Sequence, residues 1–312
     1  MKIKISILMA NYNNDKYIGE AIESVLNQAS SSWELVIVDD CSTDNSVSVI
    51  NSYLYDKRIK FFRNNENIGY IRTLKKLIKK ASFEIVGILD SDDVLKREAL
   101  ENVCRVYELN YSIGLAYTQC VISDEKLKPI RLGVSQDRNK TISEIFKPTV
   151  DHFKTFKIDD YNKTEGYNED MLYAEDRDIV LKLEEVSDVY FIDKVLYQYR
   201  KVPNSHTTNL KKAEIGKISH VLAKYKAFLR RQKTDIPNLT NSQMSTELLN
   251  ILPSCLKAGD KERLKSFLIT AIKLQPFNIW GYGCLLCRLI KFPFYRFYKK
   301  VEKYAKSFNH NS

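Results

Sequence analysis

The first third of the chain alternates between two periodicities. "KISILMA" reads as a buried strand, and residues 16–28 follow at helical spacing, with Tyr17, Ile18, Ala21, Ile22, Val25 and Leu26 on one face. "ELVIVDD" predicts a second strand. Ser42 or Thr43 can cap a helix in which Val47, Ile50 and Leu54 recur. "IKFFR" predicts a short third strand, residues 70–81 a basic helix, and "EIVGILD" a fourth strand. Residues 96–109 then read as helix and "GLAYTQC" as strand. Repeated strand–helix units predict a mostly parallel sheet covered on both faces. Ligands of such sheets sit beyond the carboxyl ends of the strands.

The pattern then loosens. Residues 119–150 are polar, contain Pro129 and Pro148, and predict a loop or β-excursion. "HFKTFKI" predicts a strand, and "YAEDRDIVLKLEEV" a helix that buries Ile179, Val180 and Leu183. "DVYFIDKVLYQYR" reads as paired strands. From about 211 strand patterns vanish, and helices are expected near 211–231, 241–257, 260–274 and 277–290, with Pro276 at the last break. The expected organisation is an α/β domain over 1–210 and an all-helical domain over 211–312 that ends in a basic, aromatic tail. No sustained repeat period supports a solenoid.

Composition adds little to this picture and charge somewhat more. A chain of 312 residues has room for one large domain and a smaller one. The formal charge of +10 suits an acidic partner, whether nucleic acid, an anionic membrane face or a phosphorylated small molecule; a solvated basic surface would read the same way. Six cysteines at 41, 104, 120, 255, 284 and 287 form no disulfide framework. Cys284 and Cys287 lie in the apolar run "WGYGCLLCRLI", which reads as two buried thiols in a reducing compartment. The start "MKIKISILMANYNN" lacks the pattern of a signal peptide, and no window has the apolar length of a spanning helix. The expected location is the cytoplasm.

The acids are the candidate chemistry. Asp39 and Asp40 end the second strand, and Asp90, Asp92 and Asp93 end the fourth. If these strands lie side by side and parallel, both groups crown one edge of the sheet. Asp90 and Asp92 would repel each other, and one would tend to protonate. A divalent cation removes the conflict: Mg²⁺ or Mn²⁺ takes one or two carboxylates plus substrate phosphates. A solvated acidic turn capping the following helix is the other reading. Asp39 can accept hydrogen bonds from a nucleobase or ribose, or it can belong to a cap cluster with Ser42, Thr43 and Asp44. The absence of a GxGxxG or Walker-type loop counts against a dinucleotide dehydrogenase and a P-loop enzyme.

"SILMANYNNDKYIGEAIESVLNQ", "ELVIVDDCSTDNS", "NENIG", "ILDSDD" and "EGYNEDMLYAEDRDIVLKL" occur in this order. Over about residues 3–208 the chain thereby resembles the inverting nucleotide-sugar glycosyltransferases of family 2. The resemblance implies the GT-A fold, an α/β architecture with a Rossmann-like, mostly parallel sheet, here followed by a C-terminal all-helical domain. It implies transfer of a sugar from a nucleoside diphosphate donor, UDP favoured, to a glycan or lipid-linked acceptor, in bacterial cell-surface polysaccharide synthesis. It assigns nucleotide-sugar binding to Asn11, Tyr12, Asp39, Asn67, Gly69, Asp90, Ser91 and Asp92. The metal, Mn²⁺ or Mg²⁺, falls to Asp92 and Asp90, with His206 as a further ligand. Catalysis falls to the pair Glu175 and Asp176, with Asp176 as the base. A carboxylate across from the departing diphosphate can accept the proton of the attacking hydroxyl. Asp176 also reads as an ordinary first-turn helix acid, and Asp178 is a decoy base.

The chain departs from the family pattern in places. Members often carry "RxH" near the end of the catalytic domain; here "YRKVPNSHTTN" places Val202 there and His206 four residues later. The usual Arg-Asn pair in the helix after "NIG" is Leu74-Lys75, and a usual glycine before the fourth strand is Phe83. His152 falls near the expected acceptor side. The tail over 291–303 reads either as packing on the helical domain, its cations reaching water, or as peripheral contact with the inner face of the membrane. Its basic-aromatic mixture also suits single-stranded nucleic acid, but no nucleic-acid motif accompanies it, so none is expected. Two rival functions are a catalytically silent GT-A-fold scaffold or glycan-binding protein, and a nucleotidyltransferase. The intact Asp90, Asp92 and Asp176 argue against the first, and the missing glycine- and arginine-rich loop against the second.

Overall fold

The computed structural model of the protein describes residues 3–137, 150, 152–202 and 210–276. Its nine described strands form one sheet in the order β3-β2-β1-β4-β8-β6-β9-β5, with β7 paired to β6. β1 (Ile5–Asn11), β2 (Trp33–Asp39), β3 (Ile59–Arg63) and β4 (Ile85–Ile88) are parallel. β8 (Lys154–Lys157) runs antiparallel between β4 and β6 (Ile113–Ser123), and β9 (Asp188–Arg200) is parallel to β6. β5 (Val94–Leu95) closes the edge antiparallel to β9. The α/β architecture expected from the sequence forms, but its sheet is mixed: four strand pairings are parallel and four antiparallel, because β8, β5 and β7 run against the rest.

Both faces are covered, which is why these strands read as nearly continuous apolar runs. Strand alternation sends Ile5, Ile7 and Met9 to one face, where they meet α1 (Ile18–Leu26), α2 (Ser46–Asn51) and α4 (Ala99–Leu109). Leu8, Val36 and Val38 point the other way, onto α3 (Tyr70–Lys80) and α6 (Glu175–Leu183). The short α5 (Ile158–Asn162) follows β8 directly.

Three further expectations change. β2 and β4 are not neighbours: β1 lies between them, though all three are parallel and their carboxyl ends share one edge. "DVYFIDKVLYQYR" is one 13-residue strand, not a pair. The polar Asp193-Lys194 is an exposed bulge between Ile192 and Val195, where the register with β6 slips. Ser42 and Thr43 do not cap α2, whose N-cap is Asn45 and makes no side-chain cap bond. The excursion after β6 contains β7 (Pro129–Leu132), an exposed strand that opens on its proline, as an edge position allows.

The helical region consists of α7 (Leu210–Arg230), α8 (Asn241–Ala258) and α9 (Lys261–Leu274) around their own core, including Ile218, Phe228, Leu248, Leu252 and Phe267. The helix expected over 277–290, Cys284, Cys287 and the tail over 291–303 lie outside the described residues. Among the described residues no disulfide links Cys41, Cys104, Cys120 and Cys255. Among the described residues no helix is long and apolar enough to cross a membrane.

α7 lies along α6 in the same direction. At one end a side-chain carbon at Gly216 would meet Tyr173 Cβ at 3.5 Å. At the other, buried Arg231 donates to Leu181 O (2.9 Å) and to Glu185 Oε1 (2.9 Å), while Arg230 reaches Glu185 Oε2 (2.6 Å). Met171 and Leu181 pack with Ala223 and Ala227 in between. The helix that opens with Glu175 and Asp176 is therefore held along its length by the helical region.

Candidate active site

The carboxyl edge of β1, β2 and β4 supports the candidate site. Asn11 and Asp39 are register partners at the ends of β1 and β2. Asn11 Nδ2 donates to Asp39 Oδ1 at 2.8 Å, and the Ser42 hydroxyl donates to the same oxygen. Ser42 N donates to Asp39 Oδ2 at 2.9 Å, and Arg63 Nε lies 3.4 Å from that oxygen. The backbone wraps tightly here: Asn13 and Cys41 have φ of 54° and 64°, in the left-handed region that side chains disfavour. Thr43 N donates to Asn13 Oδ1, which ties the two loops together. Tyr12, at 49% exposure, projects above a buried Asn11.

Asp40 performs a different task from Asp39. It is buried and accepts from Asn64 Nδ2 (2.8 Å), Ile68 N (2.9 Å) and Gly69 N (2.8 Å). The "NENIG" loop is thus pinned to the end of β2. Gly69 adopts φ 87° as the N-cap of α3, a conformation that glycine reaches without strain. Asn67 is exposed on this loop.

Asp90, Ser91, Asp92 and Asp93 form the turn after β4. Asp93 is buried and structural: it accepts from Tyr197 Oη (2.7 Å) and Arg200 N (2.6 Å). Burial and the charges of Asp92 and Asp90 push its carboxyl well above the usual range. Ser91, also buried, accepts from Asn14 Nδ2 (2.8 Å). Asp92 gives its backbone carbonyl to Arg200 Nε (2.7 Å), and burial plus the neighbouring Asp90 raise its carboxyl to about 6. Asp90 Oδ1 accepts from Tyr70 Oη (2.9 Å). The repulsion expected from the sequence is present at Asp92.

Glu175 and Asp176 open α6 after Tyr173, whose φ is 64°. The Asp176 side chain is 47% exposed. Burial works to raise its pKa, but Lys154, His220 and His152 outweigh this and hold the carboxyl below its usual range; Lys154 Nζ is 3.5 Å from Oδ2. Glu175 goes the other way: burial, then the charge of Asp176 and that of Asp90, lift it to about 7. The charge of Asp90 acts on Glu175 and on Tyr70 alike, so the turn after β4 and the start of α6 lie near each other. Asp178 is fully buried and paired with Lys182 Nζ at 2.7 Å, so it faces the core and not the cleft.

Several participants carried no signal in the sequence. Lys154 sits in a strand whose four residues are all buried, where an alternating pattern would have sent a lysine to water. His220 comes from α7; burial holds its imidazole below the usual range, against the pull of Asp176. Arg200 joins three segments, donating to Asp92 O, Glu125 O (2.7 Å) and Glu20 Oε2 (2.8 Å). Tyr70 follows "NIG" directly and was the one legible omission. Of the departures, Leu74 is buried core, Lys75 pairs with Glu169 (2.9 Å), and Phe83 lies beneath Lys4. His152 stacks on Tyr197 with ring centroids 4.7 Å apart. His206 lies outside the described residues. Among the described residues no three potential metal ligands cluster.

Comparison with known proteins bears on this arrangement. Residues 6–164, about half of the chain, match the model of glycosyl transferase family 2. Chondroitin synthase from Escherichia coli is 32% identical over 221 residues, 69% of this chain; the chain spans 31% of that protein's length. Among solved structures, S. aureus TarS 1–349 in complex with UDP-GlcNAc has a TM-score of 0.62 at 20% identity, over 87% of this chain and 81% of that one. The mannosyltransferase PcManGT from Pyrobaculum calidifontis, in complex with GDP-Man and Mn²⁺, has a TM-score of 0.59 at 17% identity, over 97% and 85%. At these identities the structural likeness shows the GT-A fold alone.

Proposed function

The chain belongs to glycosyl transferase family 2, and on that premise we propose that it transfers one sugar from a nucleoside diphosphate donor to an acceptor hydroxyl, with inversion at the anomeric carbon. What supports this reading is the nearness of Asp90 to the pair that opens α6: Tyr70 Oη donates to Asp90, and the charge of Asp90 is felt by Glu175, the neighbour of Asp176. Tyr12 and the loops after β1 and β2 hold the nucleoside. The turn from Asp90 to Asp92 holds the ribose and diphosphate.

Asp90 and Asp92 fit a divalent cation. They are paired hard oxygen donors, and burial and mutual repulsion leave Asp92 a carboxyl at about 6 that a positive charge would relieve. A bound Mn²⁺ or Mg²⁺ supplies charge neutralisation of the diphosphate as it departs. Asp176, ionised because Lys154 and two histidines offset its burial, accepts the acceptor hydroxyl's proton. The acceptor oxygen bonds to the anomeric carbon as the bond to the diphosphate breaks on the opposite face. Glu175, at about 7, is partly protonated near neutrality and donates a hydrogen bond to a sugar hydroxyl.

We place the catalytic unit in residues 1–210 and the helical unit in 211–312, the second bracing the helix that carries the base. The acceptor is a glycan or a lipid-linked sugar of a surface polysaccharide, reached from the cytoplasmic side. Incubation with a panel of nucleotide sugars and Mn²⁺ tests the reading. Slow release of the nucleoside diphosphate is expected from one donor and is lost in Asp176→Asn. No release from any donor, with or without acceptor glycans, would instead favour a silent scaffold.

A further inference from the structure

The turn after β4 is held residue by residue. Ser91 Oγ accepts from Asn14 Nδ2, Asp92 O from Arg200 Nε, and the Asp93 carboxylate from Tyr197 Oη and Arg200 N. The backbone of Asp90 is fixed as well: its N–H donates to Tyr197 Oη at 3.3 Å, and its carbonyl accepts from Asp93 N at 3.1 Å. The Asp90 carboxylate is met from a different element. Tyr70 Oη donates to Oδ1 at 2.9 Å, and among the described residues no other side chain donates to it.

Tyr70 is placed in turn by the end of β2. It is the first residue of α3, next to Gly69, whose N–H donates to Asp40 Oδ2 at 2.8 Å. Asp40 thus sets where the phenol stands, and the phenol reaches the first acid after β4. The ring is 40% exposed, so core packing does not account for its place. A carboxylate offers about four lone-pair sites, of which the phenol takes one on Oδ1. Ligating carboxylates are commonly oriented by such an outer hydrogen bond, and orienting a side chain before it binds removes an ordering cost.

We propose that Tyr70 is a positioning residue for Asp90: its hydroxyl holds Oδ1 and leaves Oδ2 for the cation that accompanies the donor diphosphate. The inference rests on the nucleotide-sugar reading above and deepens it. It links Asp40 at the end of β2, through Gly69 and Tyr70 on α3, to Asp90 in the turn after β4.

A double-mutant cycle tests this. Calorimetry reads the affinity of UDP, or of whichever nucleoside diphosphate the wild type binds, in Mn²⁺ and again in EDTA. Tyr70→Phe keeps the ring and removes the donor. It should weaken Mn²⁺-dependent binding by about tenfold and change binding in EDTA by about twofold or less. In an Asp90→Ala background the same change should cost about twofold or less in Mn²⁺, because the hydroxyl has lost the group it acts through. Denaturant unfolding of the four proteins separates a folding defect. A loss of affinity that tracks stability and persists in the Asp90→Ala background would make Tyr70 structural and overturn the proposal. Unchanged affinity in Tyr70→Phe, or an equal loss in EDTA, would overturn it too. Asp90→Ala binding as the wild type does would remove the role of Asp90 and the proposal with it, while nucleotide binding stands. Failure of the wild type to bind any nucleoside diphosphate would overturn both the proposal and the reading it rests on.

Discussion

Lys154 Nζ stands 3.5 Å from Asp176 Oδ2, joining the centre of the sheet to the first turn of α6. This pair opposes the burial that would otherwise raise the Asp176 pKa. Lys154→Met should therefore move that pKa upward. The base must be ionised, so activity falls as pH drops through its pKa. The acid limb of the kcat/KM profile should shift to higher pH. Donor affinity measured by calorimetry should be unchanged.

Asp92 is a group whose charge costs stability when no cation is bound. Its folded pKa of about 6 lies above the ordinary carboxylate value, so the native state holds a proton that the unfolded chain has released. Stability falls as pH rises between those two values and stays lowered above them. Asp92→Asn should then stabilise the metal-free protein by on the order of 1–3 kcal/mol at pH 8, with little change at pH 3.5. Thermal unfolding at the two pH values checks the sign. Because protons compete with the cation, Mn²⁺-dependent UDP binding by the wild type should also weaken as pH drops through about 6.

Two acids two residues apart on α6 should respond in opposite ways. Asp178→Ala removes the nearer carboxylate of the buried Lys182 ammonium, leaving only the carboxylate of Glu165, with Oε2 at 3.7 Å, and should destabilise the protein by about 3 kcal/mol. Asp176→Asn alters a half-exposed cleft group and should change stability by about 1 kcal/mol or less while stopping transfer. Denaturant unfolding beside single-turnover transfer separates them.

Asp40→Ala removes the acceptor of Ile68 N, Gly69 N and Asn64 Nδ2. A destabilisation of about 2–4 kcal/mol is expected, since three donors lose their partner at once. Hydrogen exchange should rise first in residues 64–70, at the entry to α3. An unchanged exchange rate there would mean the loop is held by something else.

The sequence made one class of feature plain and hid another. Apolar runs ending in acids marked β2 and β4, because a strand buried on both faces has a local signature, and the Asp90–Asp92 spacing survived intact. The division of labour between Asp39 and Asp40 was not legible. Adjacent carboxylates look alike until the chain shows that one receives Asn11 and Ser42 and the other the "NIG" loop. Lys154 was hidden because strand alternation carries no information about a charge buried by a partner 22 residues away. The docking of α7 on α6 through Arg231 was hidden for the same reason: a long-range ion pair leaves no periodicity. β9 was misread because a bulge and a turn share polar residues, and only the register with β6 tells them apart.

The most direct measurement is calorimetric titration of UDP, in the presence of Mn²⁺, into Asp92→Ala and Asp176→Asn side by side with the wild type, or of whichever nucleoside diphosphate the wild type binds. Asp92→Ala should lose at least about tenfold in metal-dependent affinity, while Asp176→Asn binds as the wild type does and transfers no sugar. Equal loss of binding in both variants, or sugar transfer by Asp176→Asn at the wild-type rate, would contradict the assignment of metal and base to opposite walls of the cleft.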